Sequence, residues 1–202
     1  MGDLVLIGII VIIVVVAIAA VVYLLGRSRG AAAKPPAPVP KTPRDPFAEQ
    51  GTEGDPRTIK AGDMLDFGIE RTWVRGSLRL SEGGWDWAEH FMEVEGERRW
   101  LSVEEDPDVQ IVMWTGRPDL SLVPGPKTLE VEGVRYRFVE RGTASYRSEG
   151  TTGLRESGGM DYADYEAPGG RHLAFERFDH GGWEASLGTD VALGSFTIYP
   201  GG

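Results

Sequence analysis

From residue 57 onward the sequence predicts an all-β domain, an antiparallel sandwich or barrel-like fold built of two duplicated β-units and preceded by one N-terminal transmembrane helix. Three observations carry the prediction. Apolar and polar residues alternate with a period of two along short runs. Glycine and proline breaks separate these runs at intervals of roughly eight to twelve residues, as in sandwiches and barrels. No stretch after Leu25 sustains the i, i+3, i+4 apolar spacing of an amphipathic helix.

The first segment is different. Leu4 to Leu25, "LVLIGIIVIIVVVAIAAVVYLL", is 22 residues without a charge. At about 1.5 Å per residue such a helix spans roughly 33 Å, the thickness of a hydrocarbon core. The preceding "MGD" holds an acid and no base, and the run exceeds a signal peptide's usual h-region, which favours an uncleaved anchor over residues 1–25. Arg27, Arg29, Lys34, Lys41 and Arg44 follow the helix. The positive-inside rule then puts the N-terminus outside and the β-domain in the cytoplasm. The absence of cysteine fits a reducing compartment. Residues 26–56 contain seven of the thirteen prolines and little apolar content, and read as a disordered Pro-rich linker.

Charge divides along the same line. Residues 51–202 hold 16 basic and 28 acidic side chains, a net of −12. So acidic a surface argues against nucleic acid as a partner. The expected partners are the membrane, through Leu4–Leu25, and a protein of unknown identity.

Within the domain, "FGIERTWVRGSLRL" separates Ile69, Trp73 and Leu78 by charged residues, and "DVQIVMWT" (108–115) is an apolar run of strand length. In "KTLEVEGVRYRFVERG", Val134, Tyr136 and Phe138 point one way, and Arg135, Arg137 and Val139 the other. Some runs recur. "WDWAE" (85–89) falls over "MDYAD" (160–164) at an offset of 75, and "WLSVEE" (100–105) over "HLAFER" (172–177) at an offset of 72. "GIERTWVRG" (68–76) falls over "GVRYRFVERG" (133–142), with Gly68 on Gly133 and Trp73 on Phe138. The matched order predicts an internal repeat within 57–202, its boundary near 118–126.

These blocks also carry a family likeness. "GDMLDFG…TWVRGSLRL…WDWAEHFMEVEGERRWLSVEE" followed by "ADYEAPGGRHLAFERFDHGGWEASLGTDV" resembles the bacterial domain of unknown function 4178, over about Ile59 to Tyr199. One departure is His90, where the "W-x-E-aromatic" block has an aromatic. The resemblance implies a β-rich domain, often membrane-tethered, and no known activity, so no catalytic residue is carried over.

The chemistry signals are sparse. There is no cysteine, no G-x-S-x-G elbow and no phosphate-binding glycine loop. His172 and His180 stand eight apart with no metal-ligand motif, so no metal or other cofactor is expected. The candidate ligand-binding or structural carboxylates are Glu89, Glu104, Asp164 and Glu176, the second pair being the echo of the first. The candidate aromatic face is Trp85, Trp87 and Trp100. No residue is assigned as catalytic. Because the carboxylates occur twice, the expectation is that they pair with arginines such as Arg71, Arg75, Arg98, Arg99 or Arg177. His90 is expected to be a surface or partly buried residue.

The leading functional expectation is a noncatalytic, membrane-tethered protein-binding or scaffold module at the cytoplasmic face of a bacterial membrane, in envelope maintenance. The alternative is a hydrolase or small-ligand sensor using the carboxylates in an aromatic cleft. A pocket holding two or more of them favours the alternative; arginine pairing favours the scaffold.

Overall fold

The computed structural model describes residues 54–201. The expected span Leu4–Leu25 lies outside them, as does all but the end of the linker. Among the described residues no helix is long and apolar enough to cross a membrane.

After a short 3-10 turn at Pro56–Thr58 the chain forms only strands: β1 (Met64–Asp66), β2 (Arg71–Trp73), β3 (Gly76–Glu82), β4 (Trp85–Val94), β5 (Glu97–Glu105), β6 (Val109–Gly116), β7 (Thr128–Val131), β8 (Val134–Gly150), β9 (Ser157–Ala167), β10 (Arg171–Phe178), β11 (Glu184–Asp190) and β12 (Thr197–Tyr199). The turns are written in the sequence. Glu95-Gly96 joins β4 to β5 with φ of 54° and 79°, and Glu132-Gly133 joins β7 to β8 with 52° and 75°. Positive φ at both positions is the type I′ hairpin geometry that matches strand twist, and glycine adopts it without a Cβ clash.

Pairing closes an antiparallel barrel. The order β3-β4-β5-β6-β11-β10-β9-β8 returns to its start because β3 also pairs with β8. The expected sandwich-or-barrel is therefore an eight-stranded barrel with additions. Strand β7 extends the sheet beyond β8, and β12-β1-β2 forms a separate small sheet.

The wall consists of two four-stranded meanders, β3–β6 and β8–β11. Two of the three sequence blocks match in register. Glu89 faces Ser102 across β4–β5, and Asp164 faces Ala174 across β9–β10, so the offsets that align the sequences also align the ladders. At the seam between meanders, Val112 faces Asp190, Trp114 faces Gly188 and Gly116 faces Ser186. A Cβ on Gly188 would lie 2.6 Å from the Trp114 ring, so only glycine fits opposite that indole. The third block does not correspond. Trp73 lies on β2 in the small sheet and Phe138 on β8 in the barrel. Ile69 and Trp73 are exposed at 97% and 58%, since the small sheet turns that side to solvent.

Both faces of the wall are in use. One core gathers Met92, Leu101, Val103 and Ile111 against Ile59, Leu65 and Ile198 of the small sheet and its approach. A second packs Ala163, Tyr165, Leu173 and Phe175 with Leu129 and Val131 of β7. Both lie outside the barrel wall. A third, with Leu78, Leu80, Tyr146 and Met160, joins strands of both meanders inside the barrel. His90 is fully buried, contrary to expectation, with Ser77 Oγ 2.9 Å from its Nδ1 and no partner for Nε2 among the described residues. Alternation puts it on the outer face, but does not show that a second layer covers that face. Burial, with the Arg79 charge nearby, lowers its pKa to about 3, so the ring is neutral.

Candidate functional site

Strand parity points Trp87 and Glu89 of β4, Ser102 and Glu104 of β5, and Trp114 of β6 to the same side as Tyr162 and Asp164 of β9 and Glu176 of β10. These residues, with Glu140, Met160 and Ala174, line one cavity of about 80 Å³. All four carboxylates expected from sequence are therefore brought together, across strands that are not neighbours in the sheet. The aromatic trio divides. Trp87 lines the cavity and meets its counterpart Tyr162 edge-on at 5.8 Å. Trp100 packs on Phe91 at 5.2 Å in the interior core, and Trp85 is 59% exposed at the end of β4.

The expected arginine pairing is absent among the described residues. Arg71 binds Asp66 at 2.7 Å and Arg177 binds Asp161 at 2.8 Å, on the outside of the wall. Among the described residues no Lys, Arg or His lines the cavity. The reason is parity. Asp161 and Arg177 occupy the opposite face from Asp164 and Glu176, so an arginine on these strands faces outward.

Glu140 carries no signal in the sequence. Two-residue alternation places it with Tyr136 and Phe138, both on the outer side against Tyr165. The ladder slips between Phe138 and Glu140, so Val139 bulges and Glu140 comes to face Asp164 on the inner side. Ser102, Trp114 and Tyr162 also go unrecognised in the sequence as cavity residues. Ser102 accepts a hydrogen bond from Trp114 Nε1 at 2.8 Å, and Tyr162 donates to Glu82 Oε2 at 2.6 Å.

The electrostatics follow from packing acids together without a base. Glu89 is only 7% exposed, and Trp87 Nε1 donates to its Oε1 at 3.4 Å. Burial pushes Glu89 up to about 7, and the Glu176 carboxyl is its hydrogen-bonding neighbour. Asp164 is pushed up to about 8 by burial, then by the charges of Glu140, Glu89 and Glu104. Glu176 lies well above the usual carboxylate range for the same reasons, burial first and then Glu89 and Asp164. Glu104, exposed at the rim, is raised by partial burial and by Glu140 and Asp106. At neutral pH the cavity thus holds carboxylic acids and carboxylates together, poised to lose protons.

Fold and site define an eight-stranded antiparallel β-barrel with an acidic, aromatic-walled interior. The chain belongs to the family described as Domain of unknown function (DUF4178), whose sequence profile matches residues 60–192, from just before β1 to just past β11. It is 39% identical over 175 residues to Uncharacterized protein Rv2597 of Mycobacterium tuberculosis, covering 80% of this chain and 84% of that one. Uncharacterized protein Mb2628 of Mycobacterium bovis is similar to the same extent, 39% over 175 residues with 80% and 84% covered. No solved structure matches the chain.

Proposed function

We propose that this protein is a noncatalytic, small-ligand-binding β-barrel held at the cytoplasmic face of a bacterial membrane by its N-terminal anchor. The observation that carries the reading is the cavity, where Glu89, Asp164 and Glu176 face inward with no basic side chain among the lining residues. Eight strands give a barrel interior just wide enough to be filled by side chains or to hold one small ligand. Here the interior core fills part of the space and the carboxylates surround the remainder. Structural carboxylates would be expected to carry their own counter-charges; these do not, so the ligand-sensor alternative outranks the scaffold.

In this cavity burial raises Glu89, Asp164, Glu176 and Glu104, and neighbouring acids raise Asp164, Glu176 and Glu104 further. The matching registers of the two meanders also support an origin by duplication, with Glu89/Asp164 and Glu104/Glu176 as equivalent pairs. The membrane tether rests on the uncharged run and the basic residues that follow it.

The test is a thermal-shift comparison of the detergent-solubilised full chain with Ala174→Leu, which fills the cavity. A small-molecule extract of the native cells is expected to raise the wild-type Tm and leave Ala174→Leu unmoved. An extract that shifts neither protein, or both equally, would overturn the reading.

A further inference from the structure

We propose that the ligand is a small organic cation, an alkylammonium group of a few heavy atoms, held by Glu89, Asp164 and Glu176 against the rings of Trp87, Trp114 and Tyr162. The inference rests on the ligand-binding reading above and names the chemical class.

The walls are the first argument. Carboxylates and aromatic faces are the two side-chain surfaces that attract a positive charge, by direct pairing and by the ring quadrupole. The cavity lining combines carboxylates with the aromatic side chains Trp87, Trp114 and Tyr162, and among the described residues contains no competing base. Each carboxyl that ionises repels an anion and attracts a cation, and a neutral ligand gains neither.

Glu89 supplies an independent argument. It is 7% exposed, yet among the described residues the one N–H donor that reaches it is Trp87 Nε1, at 3.4 Å on Oε1. Among the described residues no backbone amide or basic side chain hydrogen-bonds Glu89, whose other neighbour is the Glu176 carboxyl. A buried carboxylate requires donors or positive charge. An ammonium group brings three N–H donors and one charge into the cavity.

Size and donor spacing narrow the class. About 80 Å³ admits a headgroup with a short alkyl stem rather than an extended molecule. Among the described residues no three His, Asp or Glu side chains are placed to hold a metal ion, so the cavity is not read as a metal site. Glu104 and Glu140 are exposed and line the same cavity, so its approach is acidic and attracts cations.

Binding is coupled to protons. The groups facing Glu89 are Glu176 from β10, Asp164 from β9, Glu104 from β5 and Glu140 from β8, with Glu184 of β11 beside Glu176. All are acids, so a bound cation favours their ionised forms and releases protons to solvent.

The experiment is isothermal titration calorimetry of the full chain in detergent, with ethylammonium, ethanol, acetate and Ca²⁺ as probes. It is run at pH 6 and pH 8, in buffers of different ionisation enthalpy. Ethylammonium is expected to bind saturably at pH 8, at least tenfold more weakly at pH 6, with proton release. Glu89→Gln, or Asp164→Asn if the first variant does not fold, is expected to lose at least tenfold in affinity. Tighter binding of ethanol, acetate or Ca²⁺ would overturn the organic-ammonium class while leaving a ligand-binding barrel. Absence of probe binding, with the extract shift described above intact, would also overturn the class alone. Absence of both would remove the two readings together.

Discussion

Glu89 on β4 and Glu176 on β10 meet carboxyl to carboxyl across the barrel interior, although their strands are not neighbours in the sheet. Neither is paired with an arginine among the described residues. Two acids in that position cannot both ionise without cost, so one proton between them is part of the folded structure at neutral pH.

That proton gives stability a definite sign of pH dependence. Glu89 and Asp164 rise from ordinary carboxylate values to about 7 and about 8 in the fold, so the folded state holds more protons than the unfolded chain between pH 4.5 and 8. Stability contributed by these groups is therefore lost as pH rises through that window. Glu89→Gln is expected to raise stability at pH 8 by up to about 3 kcal/mol, at 1.36 kcal/mol per pKa unit. It should change little at pH 4.5. Urea denaturation at the two pH values measures the difference; equal effects would contradict it.

His90 sets the acid limit. Its pKa falls to about 3 in the fold, so the unfolded chain binds the proton first and stability is lost as pH falls from about 6.5 towards 3. The double substitution Ser77→Ala with His90→Leu removes both members of the hydrogen-bonded pair at once. It should flatten the acid side of the stability curve while leaving pH 8 stability within about 1.5 kcal/mol, as for a paired apolar swap. Tm against pH for the double variant shows whether the acid slope persists.

The seam between the meanders depends on one glycine. Gly188→Ala drives a methyl group into the Trp114 ring, at 2.6 Å, and is expected to cost about 1–3 kcal/mol. Trp114→Ala in the same chain should recover part of that loss, and a double-mutant cycle reads the coupling. Purely additive effects would mean the contact does not constrain the fold.

The matching registers of the two meanders predict paired responses. Leu101 and Leu173 are each 0% exposed and sit in separate cores on the outer side of the wall. Alanine at either should cost about 2–5 kcal/mol, and the two losses should add. Chemical denaturation of the single and double variants measures both points.

Much of the fold is legible in the sequence because strand alternation and turn chemistry are local. "WDWAE" and "WLSVEE" flank Glu95-Gly96, and the pairing of β4 with β5 follows directly. The repeat of those blocks also locates Asp164 and Glu176 as partners of Glu89 and Glu104. What local pattern cannot supply is which face of a closed sheet is inside. His90 reads as at most partly buried because nothing in β4 announces that its outer side is covered, and Glu140 reads as outward because the Val139 bulge leaves no mark in the alternation. The arginine expectation fails for the same reason. Arg177 neighbours Glu176 in sequence and points the other way, to Asp161.

The most direct test of an acidic interior without counter-charge is a carbon-13 NMR titration of the side-chain carboxyls of Glu89 and Asp164 in the ligand-free full chain. Titration near 7 for Glu89 and near 8 for Asp164 is the predicted result. Titration of both near 4, as for carboxylates paired with a base or open to water, would contradict it.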